Sequence, residues 1–112
     1  MVKYNHNIHD VLGALSDPTR SLIMEGLIEN GEMAMGEIAK PFSISLPAVS
    51  KHLRVLERSG LVNQRRDGRY RRYSFNPKAL RETAKWLEFH FKFWNSSLDR
   101  LEKLINKNKK YA

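Results

Sequence analysis

Apolar residues recur along this chain in two rhythms, and the switch between them divides it. Ile8, Val11, Leu12 and Leu15 follow the i, i+3, i+4, i+7 spacing of one helix face. Asp17-Pro18 opens a second helix, because aspartate is a good cap and proline fits the first helical position. Leu22, Ile23, Leu27 and Ile28 are its expected inward residues, and it ends near Asn30-Gly31. A third, very short helix covers Gly36 to Lys40 and stops at Pro41, since the residue before a proline is pushed out of helical geometry. Phe42-Ser43-Ile44 then links it to a helix over Ser45 to Ser59, stopped by Gly60. Two short helices joined this tightly make a helix-turn-helix pattern. The second has unlike faces: Val49, His52, Leu53 and Leu56 on one side, and Pro47, Ser50, Lys51, Arg54 and Arg58 on the other.

After Gly60 the period falls to two. Leu61 to Arg66 reads as a strand, Asp67-Gly68 as a tight turn, and Arg69 to Phe75 as the return strand. A last long helix runs from about Pro77 to Asn106. On it Leu80, Ala84, Leu87, Phe91, Trp94, Leu98, Leu101 and Ile105 alternate at spacings of four and three, which is a heptad seam. A second stripe, Trp86, Phe89 and Phe93, lies nearly opposite. A helix apolar on two sides needs two partners. Trp86, Phe89 and Phe93 are assigned to the protomer's own core and the seam to a symmetry mate; the reverse assignment leaves the need for two partners unchanged.

Composition narrows what such a chain does. At 112 residues it has room for one domain and an appendage. A net charge of +8 favours a polyanionic partner. The chain lacks cysteine, which excludes disulfides and thiolate chemistry. No apolar run approaches the ~20 residues of a membrane span, and the first residues lack the apolar core of a signal peptide. A cytoplasmic, nucleoid-associated protein with no membrane partner is expected. The hairpin concentrates five arginines, Arg65, Arg66, Arg69, Arg71 and Arg72, around one turn. A solubilised ribbon edge would usually mix signs or use lysine, whereas arginine's planar fork suits phosphate and guanine. On the preceding helix, Ser45, Leu46, Pro47 and Ser50 would sit nearest base edges, with Lys51 and Arg54 in reach of bases or phosphates.

These residues carry a resemblance. Leu15-Ser16-Asp17-Pro18-Thr19-Arg20, Pro47-Ala48-Val49-Ser50-Lys51-His52-Leu53, and Leu56-Glu57-Arg58-Ser59-Gly60-Leu61-Val62 resemble the ArsR (arsenic-repressor-like) winged-helix regulators, as do Arg65 to Arg69 and Tyr73. The resemblance spans roughly Asp10 to Leu98. It implies a mainly α, dimeric winged helix-turn-helix with a small β-hairpin, in the order α-α-α-α-β-β-α. It implies a repressor acting as a homodimer on a palindromic operator in double-stranded DNA. DNA contacts are then expected from Ser45, Leu46, Pro47, Ser50, Lys51 and Arg54 in the major groove. The wing over 61–75 adds Arg65, Arg66, Arg69 and Arg71 on phosphate or the minor groove. Leu46 stands where family members often carry glutamine. The dimer would be joined through Leu80, Leu87, Phe91, Trp94, Leu98 and Leu101. Residues 1–76 would form the DNA-binding domain, 77–106 the dimerisation helix, and 107–112 a frayed tail.

Neither a metal nor another cofactor is expected. Many such regulators bind metals through cysteines near the third helix, and the matching stretch, Gly31 to Gly36, has none. Met33 and Met35 are soft donors but read as core fillers. His6 and His9 lack a third ligand nearby in sequence, Glu88 and His90 point to different faces, and His52 is a core histidine by phase. An enzyme is disfavoured, since the chain has no nucleophile elbow or phosphate loop. An RNA- or ribosome-associated module would share the charge, but the major groove of A-form RNA is too narrow for a helix.

Overall fold

The computed structural model describes residues 6–109. Five helices and three strands follow in the order α1 (Ile8–Leu15), α2 (Pro18–Asn30), β1 (Met33–Ala34), α3 (Met35–Ala39), α4 (Leu46–Arg58), β2 (Val62–Asp67), β3 (Tyr70–Phe75) and α5 (Pro77–Lys109). The strands form one antiparallel sheet in the order β1-β3-β2.

Helix boundaries follow local chemistry. The Asn7 side chain accepts from the N–H groups of His9 and Asp10 and caps α1. Asp17 accepts from Arg20 N–H at 3.0 Å and caps α2, with Pro18 in its first turn. Ser45 accepts from Ala48 N–H at 3.3 Å and caps α4. At the far end of α4, Gly60 takes φ 87, its N–H donates to Glu57 O, and Leu61 N–H donates to Leu56 O. This paired closure satisfies the last carbonyls of the helix and turns the chain into β2.

The core gathers Val11, Ala14, Ile23, Met24, Leu27, Ile38, Val49, Leu53, Leu56, Leu61, Val62, Tyr73 and Ala79. Every element except β1 thus places at least one buried side chain in it. On α2 the inward residues are Ile23, Met24 and Leu27, while Leu22 and Ile28 are exposed, contrary to expectation. Helical phase explains this: Leu22 and Ile28 fall on the flanks of the stripe that Ile23 and Leu27 define. The two-residue β1 was not expected. It pairs Met33 with Tyr73 and Ala34 with Arg72, adding a third strand to the hairpin. The hairpin turn also differs by one residue. Asp67 pairs with Tyr70, so the loop is Gly68-Arg69. Gly68 has φ 61 and Arg69 has no positive φ, the pattern of a turn with glycine first.

The first turns of α5 belong to the core, with Ala79 and Thr83 buried and Leu80 packed against the cluster. Leu80, expected in the seam between protomers, therefore packs within its own chain. Beyond that, α5 leaves the domain. Its 33 residues span about 50 Å at 1.5 Å per residue. The radius of gyration is 19.5 Å, against about 13 Å for a compact chain of this length. Phe89 and Phe93, assigned to the protomer's core, are 70% and 63% exposed. The correction is geometric: α1 covers α5 only near its start, where His9 meets Trp86 edge-on with ring centroids 5.8 Å apart. The helix runs past the expected end at Asn106 to Lys109, and residues 110–112 of the expected tail lie outside the described residues.

Candidate nucleic-acid interface

Helix α4 is fixed by its buried face and by one polar network. Val49, Leu53 and Leu56 are fully buried. His52 is half-buried, with Arg20 Nη1 3.3 Å and Asp17 Oδ2 3.9 Å from its Nδ1. The same guanidinium donates through Nε to Ala14 O at 2.7 Å and through Nη2 to Gly13 O at 3.3 Å. Arg20 thus closes the carbonyl end of α1 and braces α4 against the start of α2. Sequence reasoning placed His52 inward but missed this role of Arg20. Its signal was an arginine three residues after the Asp17 cap. The Asp17 carboxyl is held below its ordinary range, first by the Arg20 N–H bond and further by the Arg20 and His52 charges.

The opposite face of α4 is open. Ser45, Leu46, Pro47, Lys51 and Arg54 are exposed and Ser50 is half-buried. Neither Lys51 nor Arg54 is ion-paired with another described residue.

The hairpin arginines separate by strand alternation into two faces. Arg65 lies opposite Arg72, and Arg66 opposite Arg71. Like charges directly opposite one another destabilise a ribbon unless something neutralises them. On the first face, carboxylates do so. Arg65 donates to Glu32 through Nε at 3.0 Å and Nη2 at 2.6 Å, a bidentate pair. Arg72 donates to Asp67 at 2.9 Å and lies 4.0 Å from Glu37. The Arg65 hydrogen bonds lower the pKa of Glu32 and raise that of Arg65. On the second face, Arg66 and Arg71 have no carboxylate partner among the described residues, and neither does Arg69 in the loop. Arg65 was expected to face DNA. The structure occupies it with Glu32, which ties β2 to the segment just before β1.

Elsewhere the candidate ligands have other partners. His6 Nδ1 lies 2.9 Å from Glu82 Oε2. His90 stacks between Trp86 and Trp94, with centroids 4.1 and 5.6 Å away. Met33 and Met35 pack against the core. Among the described residues, no group of three or more His, Asp or Glu is placed to hold a metal ion. Nor is any helix long and apolar enough to cross a membrane.

This architecture has known counterparts. A family model described as a helix-turn-helix domain matches residues 15–65. The transcriptional repressor SdpR of Bacillus subtilis is 36% identical over 80 residues, covering 71% of this chain and 88% of that one. An ArsR-like transcriptional regulator from Rhodococcus superposes with a TM-score of 0.71 at 31% identity, covering 87% of this chain and 91% of that one. The homodimeric winged helix-turn-helix DNA-binding domain of Mb0332 from Mycobacterium bovis, a possible ArsR-family regulator, does so at 0.61 and 28% identity, covering 76% and 79%. The fold agrees with these relatives, and by this similarity the chain belongs to the ArsR family of winged helix-turn-helix transcriptional regulators, which bind DNA and are not enzymes.

Proposed function

We propose that the protein is a transcriptional repressor that binds a palindromic operator as a homodimer in the cytoplasm. Helix α4 enters the major groove, and the wing lies on phosphate or the minor groove. The observation that carries this reading is the second hairpin face. The chain supplies carboxylates to Arg65 and Arg72 and leaves Arg66, opposite Arg71, with no carboxylate partner among the described residues. An anionic ligand removes that repulsion, and a nucleic-acid backbone presents such anions in a row. Arg66, Arg69 and Arg71 are accordingly assigned to the backbone or minor groove. Ser45, Leu46, Pro47, Ser50, Lys51 and Arg54 are assigned to the major groove, and Arg65 to bracing the wing.

The second copy follows from α5. Phe91, Trp94, Leu98, Leu101, Leu104 and Ile105 are exposed along its outer half. Heptad spacing over that length suits another helix of the same kind. Leu87, Phe91, Trp94, Leu98 and Leu101 are assigned to the interface, and Phe89 and Phe93 lie nearly opposite it on the helix. The homodimeric state of the Mb0332 domain supports the assignment.

Fluorescence titration of a labelled duplex DNA and a duplex RNA of equal length, at several salt concentrations, tests the reading. The expected result is salt-dependent binding with preference for DNA. Equal or tighter binding to the RNA duplex would instead support an RNA-binding module, and no binding to either would overturn the proposal.

A further inference from the structure

The first turn of α4 has a chemistry unlike the rest of the exposed face. Ile44 is 40% and Leu46 56% exposed, on either side of Ser45. The Ser45 hydroxyl is turned back onto Ala48 N–H as the cap. Pro47, also exposed, has no N–H to donate. Hydrogen-bonding side chains begin again only at Ser50, followed by Lys51 and Arg54. A single exposed leucine on a surface is ordinary. Here two large exposed apolar residues and an exposed proline fall within four positions, 44 to 47, at the leading end of a helix whose outer face is otherwise polar and basic. The base edges of the major groove offer one apolar group, the C5-methyl of thymine.

We infer that the leading end of α4 is a subsite for a pyrimidine 5-methyl group, with Leu46 as the residue that touches it and Ile44 and Pro47 closing its sides. The inference rests on the major-groove placement of α4 proposed above. Leu46 cannot exchange hydrogen bonds with a base edge, so specificity at this position comes from apolar contact alone. The hydrogen-bonding reading of bases passes to Ser50, Lys51 and Arg54. Thymine and 5-methylcytosine present the same methyl, whereas uracil and cytosine present none.

The test removes that methyl and nothing else. Duplexes retained by the purified protein from a random library define the half-site, and each thymine in it is then replaced by deoxyuridine. One methyl withdrawn from apolar contact is worth about fourfold in affinity, hence about sixteenfold when both half-sites of a dimer are changed. The expected result is a loss of this size at one or two adjacent thymines, absent in Leu46→Ala. Leu46→Gln should shift the selected base at that position toward adenine, which an amide can bond in bidentate fashion. Leu46 is not in the core, so these variants should keep the wild-type melting temperature. Wild-type binding indifferent to every deoxyuridine, or a deoxyuridine loss that persists unchanged in Leu46→Ala, would overturn the inference while leaving DNA reading intact. Failure to select any sequence would instead overturn the proposed function and this inference with it.

Discussion

Two carboxylates, Asp17 and Glu32, fix the parts that face the ligand, and both are held below their ordinary range by arginine contacts. A depressed carboxyl stabilises the folded state above its unfolded pKa, and that contribution is lost as pH falls through the lower folded value. Acidification below about pH 4, the ordinary carboxylate range, should therefore lower the melting temperature. Asp17→Asn should flatten that part of the profile. Glu32→Gln should do so more weakly, because its partner sits on an exposed ribbon. A profile from pH 6 to 2 that is identical for wild type and Asp17→Asn would contradict this. Glycine positions give a second test. Gly60 and Gly68 both have positive φ, so alanine is strained at each. A Cβ at Gly60 would also collide with the His6 ring, while one at Gly68 meets open space. Chemical denaturation should find Gly60→Ala less stable than Gly68→Ala by about 1 kcal/mol or more; equal losses would contradict the packing of His6 on Gly60.

Helices were legible in the sequence because each carries its own punctuation. Ser45 and Gly60 bounded α4, Asp17-Pro18 opened α2, and the buried face of α4 followed from spacing. On α1 spacing gave Ile8 and Val11 but missed Ala14, which is buried where Leu12 and Leu15 are half-buried. What was not legible depends on distant partners. A two-residue strand such as β1 has no periodicity of its own; its pairing comes from β3, some forty residues on. The turn at Gly68-Arg69 was misplaced by one residue because both Asp67-Gly68 and Gly68-Arg69 contain the required glycine. Spacing also indicated which side of α4 faces outward, where Pro47, Lys51 and Arg54 are exposed and Ser50 is half-buried. The division of the wing was not, since Glu32 reaches Arg65 across 33 residues. At this scale the central demand is that Leu53, fully buried, holds α4 in place. Leu53→Ala should cost roughly 2–5 kcal/mol of stability, read by urea unfolding. A loss under about 1 kcal/mol would show that α4 is not anchored by this face.

At the scale of the whole molecule, α5 decides the assembly. It projects beyond the domain with aromatic residues on more than one side, and the protomer covers neither outer stripe. Burying Phe91 or Trp94 against a second copy is worth roughly 2–3 kcal/mol per protomer by area, and a two-fold contact applies each change twice. Wild-type protein at micromolar concentration should sediment as a dimer, and a Phe91→Ser, Trp94→Ser variant as a monomer. A monomeric wild type, or a variant dimer as stable as wild type, would contradict the seam.

The claim that α4 reads sequence while the wing grips backbone is tested most directly by one ratio: affinity for a selected duplex over affinity for a scrambled one, at fixed salt. Arg54→Ala should reduce this ratio, by roughly 1–3 kcal/mol for each lost base contact. Arg69→Ala should weaken binding to both duplexes alike, leave the ratio unchanged, and flatten the salt dependence by about two units per dimer. A ratio that Arg54→Ala leaves untouched, or that Arg69→Ala lowers as much, would contradict the account.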